Sequence, residues 1–170
     1  MCVMIKDASY WIEKLHLSRH PEGGYFRQTF HSKESLGKEH LPERFRGARV
    51  FSTAIYYLLP GNEVSRFHRL KADEVWHFHA GSALTLYVID QSGSLTQRKL
   101  GGDPERGETF QVAIEAGCWF GALVDDPQSY SLVGCTVSPG FDYDDFELAD
   151  RESLSESYPE HRWIIAKLAE

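Results

Sequence analysis

Short segments of β-forming residues, separated by Gly and Pro turns, fill the middle of the chain from about residue 25 to residue 138. Turn signals such as Pro60-Gly61-Asn62 and Gln91-Ser92-Gly93-Ser94 end one segment and begin the next. Because strands follow strands without helices between them, the pattern predicts an all-β sandwich or barrel rather than βαβ units. Strands are predicted over 25–30, 49–59, 83–90, 95–100, 109–114, 119–124 and 130–138.

Helical periodicity is confined to the two ends of the chain. Residues 8–17 carry apolar side chains at helical spacing, with Asp7 available as an N-cap. Near the other end, Asp150 can cap the first of two short helices predicted within 151–168. The acidic run 142–147 lies between the β region and these helices, and we expect it to be solvated surface or a cap over the barrel end.

Size and charge narrow the class of protein. The chain has 170 residues, which predicts one domain, 1–170, large enough to bury a core. A net charge of −7 and the absence of a basic run argue against nucleic acid as a partner, because phosphate binding needs clustered Lys and Arg. The polar segment 31–48 has mixed charge and is predicted to be a surface loop.

Targeting signals and cysteine usage point to a reducing compartment. We see neither a signal peptide nor an apolar run near the ~20 residues of a membrane span, so we expect a cytoplasmic protein with no membrane partner. Cys2, Cys118 and Cys135 are odd in number and widely spaced. They form neither a disulfide framework nor a metal motif, and we interpret them as free thiols.

The candidate site lies in the stretch 65–81, where ionisable side chains stand beside large aromatic ones. These residues are Arg66, Phe67, His68, Asp73, Glu74, Trp76, His77, Phe78 and His79. Side chains alternate between the two faces of a strand, so an inward Glu74 predicts inward Trp76 and Phe78. The same alternation predicts that His77 and His79 point outward, to the outer face or a subunit interface. We expect His68 and Glu74 to meet in the interior, unless a β-bulge changes the alternation.

This stretch resembles the first motif of the cupin superfamily, His-x-His, a short spacer, Glu, six residues and Gly. The matching residues are Arg66-Phe67-His68, Glu74 and Gly81, with the Glu-to-Gly spacing preserved. The second cupin motif, Pro-x-Gly-x-x-His, is similar to Glu115-Ala116-Gly117-Cys118-Trp119-Phe120. There Gly117 matches, while Glu115 and Phe120 replace the proline and the histidine.

Further signatures resemble one branch of cupins with no settled activity. They are His20-Pro21-Glu22-Gly23-Gly24-Tyr25, Phe67-His68-Arg69-Leu70, Asp73-Glu74-Val75-Trp76-His77-Phe78-His79 and the stretch from Pro139-Gly140-Phe141 to Phe146. The resemblance implies a cupin double-stranded β-helix, or jelly roll, with short terminal helices, in a protein that is usually a homodimer. A loop at the barrel mouth could also bring Glu22 or Tyr25 to a pocket.

The resemblance leaves the metal of this site open. Mononuclear cupins bind Fe, Mn, Ni or Zn through three His and one Glu, but only His68 and Glu74 occupy matching positions here. Arg66 adds a repelling charge and Phe120 offers no lone pair, so we expect no cofactor. If a divalent metal is present, the ligands would be His68, Glu74, His77 and His79.

Metal-free chemistry has a precedent in the dTDP-4-keto-sugar 3,5-epimerases, cupins whose Arg-x-x-His element resembles Arg66-Phe67-His68. By this resemblance His68 is the candidate base, with Glu74 fixing its tautomer. Arg66 would hold an anionic group of the substrate, and Trp76, Phe78 and Trp119 would line the pocket, or pack in the barrel core. The prediction is a small polar or anionic ligand and an isomerase or epimerase. The alternatives are a non-catalytic binding module and a metal-dependent cupin enzyme.

Overall fold

Two antiparallel β-sheets face each other in the computed structural model, which describes residues 6–170. The predicted all-β jelly roll is confirmed, although the two sheets do not close into a continuous barrel. The strands are β1 (Ser18–Arg19), β2 (Tyr25–His31), β3 (Ser35–Leu36), β4 (Arg49–Val50), β5 (Thr53–Pro60), β6 (Val64–Leu70), β7 (Asp73–Gly81), β8 (Leu84–Ile89), β9 (Leu95–Leu100), β10 (Gln111–Ile114), β11 (Trp119–Val124), β12 (Tyr130–Ser138) and β13 (Phe146–Leu148).

The larger sheet has the strand order β1-β2-β5-β12-β7-β10, and the smaller sheet has the order β13-β6-β11-β8-β9. The main core lies between them, because alternate side chains of both sheets point to the shared interior. The two-stranded β3–β4 ribbon lies partly within the predicted loop 31–48. The single strand predicted over 49–59 is divided at Phe51-Ser52 into β4 and β5.

The stretch 65–81 forms most of two strands, β6 and β7, which belong to different sheets. The predicted alternation along β7 is confirmed. Glu74 and Trp76 are buried in the interior, whereas His77 lies on the outer face, with its Nε2 3.1 Å from Oγ1 of Thr136. His79 is exposed beside Tyr56, with ring centroids 5.8 Å apart.

Short helices cover the outer faces of the sheets. Helix α1 (Ala8–Lys14) is shorter than the predicted 8–17 and begins after Asp7, whose side chain accepts a hydrogen bond from the Tyr10 N–H. Helices α2 (Arg151–Ser157) and α3 (Arg162–Leu168) pack on the smaller sheet. Asp150 caps α2 as predicted, by accepting a hydrogen bond from the Ser153 N–H. None of the helices within 6–170 is long and apolar enough to cross a membrane.

The expectation for the acidic run changes, whereas the one for the described cysteines is met. The acidic run 142–147 is not all solvated surface, because Asp145 is buried and pairs with Arg49 through two hydrogen bonds of 2.6 and 2.8 Å. This run leads into β13, which joins the smaller sheet through β6. Cys118 and Cys135 are free and buried, and Cys2 lies outside the described residues.

Candidate functional site

A cavity of about 210 Å³ opens between the two sheets. Two histidines and two glutamates line it, namely His20, Glu22, His68 and Glu74. The rest of the wall is mostly apolar and aromatic, and includes Phe26, Ile55, Tyr57, Leu70, Val137, Phe141, Tyr143 and Phe146. An apolar cavity with a few converging polar groups is the usual form of a small-molecule site.

The turn between β1 and β2 carries Glu22 into this cavity. Gly23 and Gly24 both have positive φ, of 113° and 68°, a conformation that other residues rarely adopt. A Cβ atom on Gly23 would lie 2.1 Å from the carbonyl oxygen of Val64, so the turn packs directly on β6. The Glu22 carbonyl also accepts a hydrogen bond of 2.9 Å from the Arg66 N–H. The two glycines therefore fix the position of the Glu22 side chain.

Glu22 and His68 form a buried pair that shares one proton. Nδ1 of His68 lies 2.7 Å from the Arg66 carbonyl oxygen, which can only accept, so Nδ1 carries a hydrogen. Nε2 lies 3.1 Å from Oε2 of Glu22, a contact that requires a proton on one of the two atoms. Burial lowers the pKa of His68 to about 4 and raises the pKa of Glu22, which favours the neutral pair with a protonated carboxyl group. Ser65 completes the pair by donating a 2.9 Å hydrogen bond to Oε1 of Glu22.

His20 presents a free donor to the same cavity. Its Nδ1 accepts a hydrogen bond of 3.3 Å from the Glu22 backbone N–H, which places the ring hydrogen on Nε2. Burial lowers the pKa of His20, so the ring is neutral at pH 7. Within residues 6–170, Nε2 has no hydrogen-bond partner.

Glu74 contributes a second buried carboxyl group to the cavity. Its side chain is buried, 7% exposed, and Oε2 makes no hydrogen bond. Burial, and next the charge of Glu22, raise the pKa of Glu74 to about 8, against a smaller lowering by the Trp76 indole and the Cys135 thiol, which lie close to it. The nearby Trp76 indole N–H is also without a partner, and the Cys135 thiol is close enough for Glu74 to raise its pKa further. Glu74 is thus protonated at pH 7, but it can ionise close to that pH.

The structure brings His68 and Glu74 to one cavity, but they do not form the predicted hydrogen bond. The carboxyl group that contacts His68 is Glu22, which the sequence indicates only as one of two loop candidates. His20 was missed as a site residue. The available signal for both was the run His20-Pro21-Glu22-Gly23-Gly24, whose paired glycines mark a constrained turn.

The four predicted substrate-binding residues do not line this cavity. Arg66 points to the surface, where its guanidinium contacts Glu170 and the Pro21 carbonyl oxygen. Trp119 lies on the outer side of the smaller sheet, under the Arg69 guanidinium, 4.5 Å from the ring centre. Trp76 belongs to the main core, and Phe78 lines a separate shallow cleft beside Gly102. Their roles in binding remain predictions without support from this geometry.

The side chains present do not form a suitable metal site. Within the described chain, no three His, Cys, Asp or Glu side chains are grouped so as to hold a metal ion. Both ring nitrogens of His68 and both carboxyl oxygens of Glu22 already have protein partners. Phe120, which replaces the second-motif histidine, packs against His68 with ring centroids 4.1 Å apart. His77 and His79 lie on the outer face and do not join His68 and Glu74.

A jelly roll of two antiparallel sheets, with polar groups converging on an interior cavity, defines this protein as a cupin-type β-protein. The chain belongs to the family described as Cupin superfamily (DUF985), whose sequence profile matches residues 9–149. This match confirms the resemblance drawn from the motifs.

Similar proteins cover nearly the whole chain. Protein SO0799 from Shewanella oneidensis is 42% identical, with a TM-score of 0.87, and the match covers 98% of this chain and 99% of that one. A hypothetical protein from Leishmania major is 37% identical, with a TM-score of 0.88 and coverage of 96% and 98%. The uncharacterized protein YML079W of Saccharomyces cerevisiae is 27% identical over 143 residues, which are 79% of this chain and 71% of that protein.

Oxalate decarboxylase from Bacillus subtilis is a more distant structural neighbour. It is 13% identical, with a TM-score of 0.55, and the match covers 88% of this chain and 36% of the decarboxylase. At this identity the likeness shows the shared fold alone, since one fold supports many chemistries.

Proposed function

We propose that the cavity binds a small carbonyl compound and transfers a proton at the carbon next to the carbonyl group, without a metal ion. This is isomerase or epimerase chemistry. The observation that carries the proposal is the buried Glu74 carboxyl group, whose Oε2 makes no hydrogen bond, in the same cavity as His20, whose Nε2 makes none. One group can take a proton, and the other can hold the oxygen on which negative charge develops.

Glu74 is the base in this proposal, in place of His68. A general base works best when its pKa lies near the working pH, and burial raises the pKa of Glu74 to about 8. Both ring nitrogens of His68 are engaged, by Glu22 and by the Arg66 carbonyl oxygen. His68 therefore acts as a positioning residue, which holds Glu22 and, through the Glu22 backbone, His20.

His20 supplies the electrophile. A neutral imidazole N–H directed at a carbonyl oxygen stabilises the developing enolate, and it does so most strongly in a cavity with little water. The hydrogen bond from the Glu22 N–H to Nδ1 fixes the tautomer that this role requires. The proton removed from carbon moves to Glu74 and exchanges there with solvent, and the carboxyl group then returns a proton to carbon, so the step is balanced without an oxidant or reductant.

The test is exchange of carbon-bound hydrogen for deuterium. We expect purified protein in D₂O to speed the loss of the α-proton NMR signals of cyclohexanone, a small ketone probe. Glu74→Gln should abolish the added rate, while Glu43→Gln should retain it, because Glu43 is exposed and makes no hydrogen bond or ion pair within residues 6–170. Dialysis against EDTA should leave the rate unchanged.

Three results would count against this function. Exchange that survives in Glu74→Gln would remove Glu74 as the base. Saturable binding of the ketone with no exchange in the native protein would favour the alternative of a non-catalytic binding module. Activity that is lost with EDTA and restored by Fe or Mn would favour the metal-dependent alternative.

A further inference from the structure

The charge around the cavity limits what can enter it. Among the described residues that line it there is no Lys and no Arg, but there are two glutamates, Glu22 and Glu74. Burial keeps His20 and His68 neutral at pH 7, because it lowers the pKa of each ring. The cavity therefore has no positive charge to receive a carboxylate or phosphate group.

Two arginines near the residues that line the cavity, Arg49 and Arg66, have other partners. Arg49 is buried and forms a bidentate ion pair with Asp145. The Arg49 Nε and Nη2 atoms lie 2.6 and 2.8 Å from the two carboxylate oxygens. Arg66, predicted from the sequence to hold an anion, contacts Glu170 and the Pro21 carbonyl oxygen instead. Separating Arg49 from Asp145 to receive a ligand would leave a buried carboxylate without its partner.

The wall and the volume give a second limit. Phe26, Phe141 and Phe146 line the cavity, and the His20 ring meets Phe26 edge-on with centroids 4.6 Å apart. The volume of about 210 Å³ is below the roughly 300–1,000 Å³ of pockets that enclose drug-sized ligands. A molecule of about one ring fits these dimensions.

We infer that the substrate class is an uncharged, compact carbonyl compound with an apolar body, and that the site rejects organic anions and ammonium ions. The carbonyl group in this description rests on the proposed function. An ammonium ion would meet no charged partner at pH 7, because burial raises the pKa of Glu74 to about 8 and keeps it protonated. An anion would have to leave water with no cation to meet it.

Three probes of equal shape separate the classes, namely cyclohexanone, cyclohexylamine and cyclohexanecarboxylate. At pH 7 a carboxyl group with the ordinary pKa of about 4.3 is protonated in about 1 molecule in 500, and an amine with a pKa of about 10.4 is neutral in still fewer. We therefore expect the ketone, titrated by ligand-observed NMR, to bind at least about 100-fold more tightly than either charged probe. The affinity of the carboxylate should rise about tenfold when the pH falls from 7 to 6, while the affinity of the ketone stays constant.

Cavity-filling variants show whether the probes bind at this site. Val137→Phe and Ile55→Phe each place a larger side chain at a lining position, on different strands. Ketone binding should be lost in whichever of them retains the native circular dichroism spectrum, and Glu43→Gln should bind as the native protein does.

The substrate class is overturned if the amine or the carboxylate binds as tightly as the ketone. It is also overturned if the ketone fails to bind at concentrations up to its solubility. The same holds if Val137→Phe and Ile55→Phe are both folded and bind the ketone as tightly as the native protein does. The proposed proton transfer can fail independently of the ligand class. Ketone binding in the expected order without deuterium exchange refutes proton transfer and leaves the ligand class standing.

Discussion

Replacing Glu74 with glutamine should make the protein progressively more stable, relative to the native protein, as the pH rises. A carboxyl group whose pKa is 4.5 in the unfolded chain and about 8 in the folded protein binds its proton more tightly when folded. Its protonation supports folding fully below pH 4.5, and that support is lost as the pH rises toward 8. Glutamine cannot ionise, so the variant escapes this loss.

The size of the effect follows from the same two pKa values. Each pKa unit corresponds to about 1.36 kcal/mol. Because Glu74 ionises more readily in the unfolded chain, its titration lowers the free energy of unfolding by about 3 kcal/mol at pH 7 and by less than about 1 kcal/mol at pH 5. The introduced amide adds a constant cost of about 1–3 kcal/mol if its N–H groups stay unpaired, as the Glu74 Oε2 atom is now. This constant cancels when the stability change at pH 5 is subtracted from the change at pH 7, and the remainder should be about 2–3 kcal/mol in favour of the variant.

Urea unfolding at pH 5, 6, 7 and 8 measures this difference directly, because the transition midpoint and slope give the free energy of unfolding. Glu43→Gln is the matched control, an exposed carboxyl group for which we expect a change below about 0.5 kcal/mol at every pH. A Glu74→Gln difference that stays constant within about 0.5 kcal/mol from pH 5 to pH 8 would refute our account of the buried carboxyl group.

Three further predictions concern the residues that hold the site in place and the pH dependence of its activity. Asp145→Asn should lower the free energy of unfolding by about 3–5 kcal/mol, because it leaves the Arg49 guanidinium buried without its partner; a loss below about 1 kcal/mol in urea would mean that the pair is replaceable. Gly23→Ala should cost at least about 1–3 kcal/mol and abolish deuterium exchange, since the new Cβ meets the carbonyl oxygen of Val64; full exchange would show that the turn does not hold the site. The exchange rate of the native protein should rise with pH and level off above about pH 8 as Glu74 ionises, whereas a rate that falls over this range would exclude Glu74 as the base.

The overall architecture could be predicted from the sequence, because strands, turns and helix caps are marked by patterns of neighbouring residues. Strand-forming runs bounded by Gly and Pro turns predict most of the strands, and Asp7 and Asp150 cap their helices as expected. The strand β13 was missed, since it is three residues long and follows an acidic run typical of solvated surface. Only the long-range pairing of Asp145 with Arg49 explains why that run turns inward.

The position of Arg66 shows why the site was harder to predict. Along β6, His68 pairs with Phe120 but Ser65 pairs with Ala122, so two residues of β6 lie opposite Gly121 alone. This β-bulge interrupts the alternation, and both Ser65 and His68 face Glu22 while Arg66 reaches the surface. A Cβ on Gly121 would lie 2.8 Å from the Ser65 carbonyl oxygen, so the bulge depends on a glycine 56 positions away in the chain. A local pattern does not contain that information.

The turn that carries Glu22 also has a consequence for the order in which the protein folds. Glu22 bonds to Ser65, 43 residues further along the chain, and the cavity is completed by Cys135 and Val137 on β12. Contacts between distant parts of a chain form slowly, because the intervening chain must first lose its freedom. The cavity is therefore competent only after the turn, β6 and β12 have all come together.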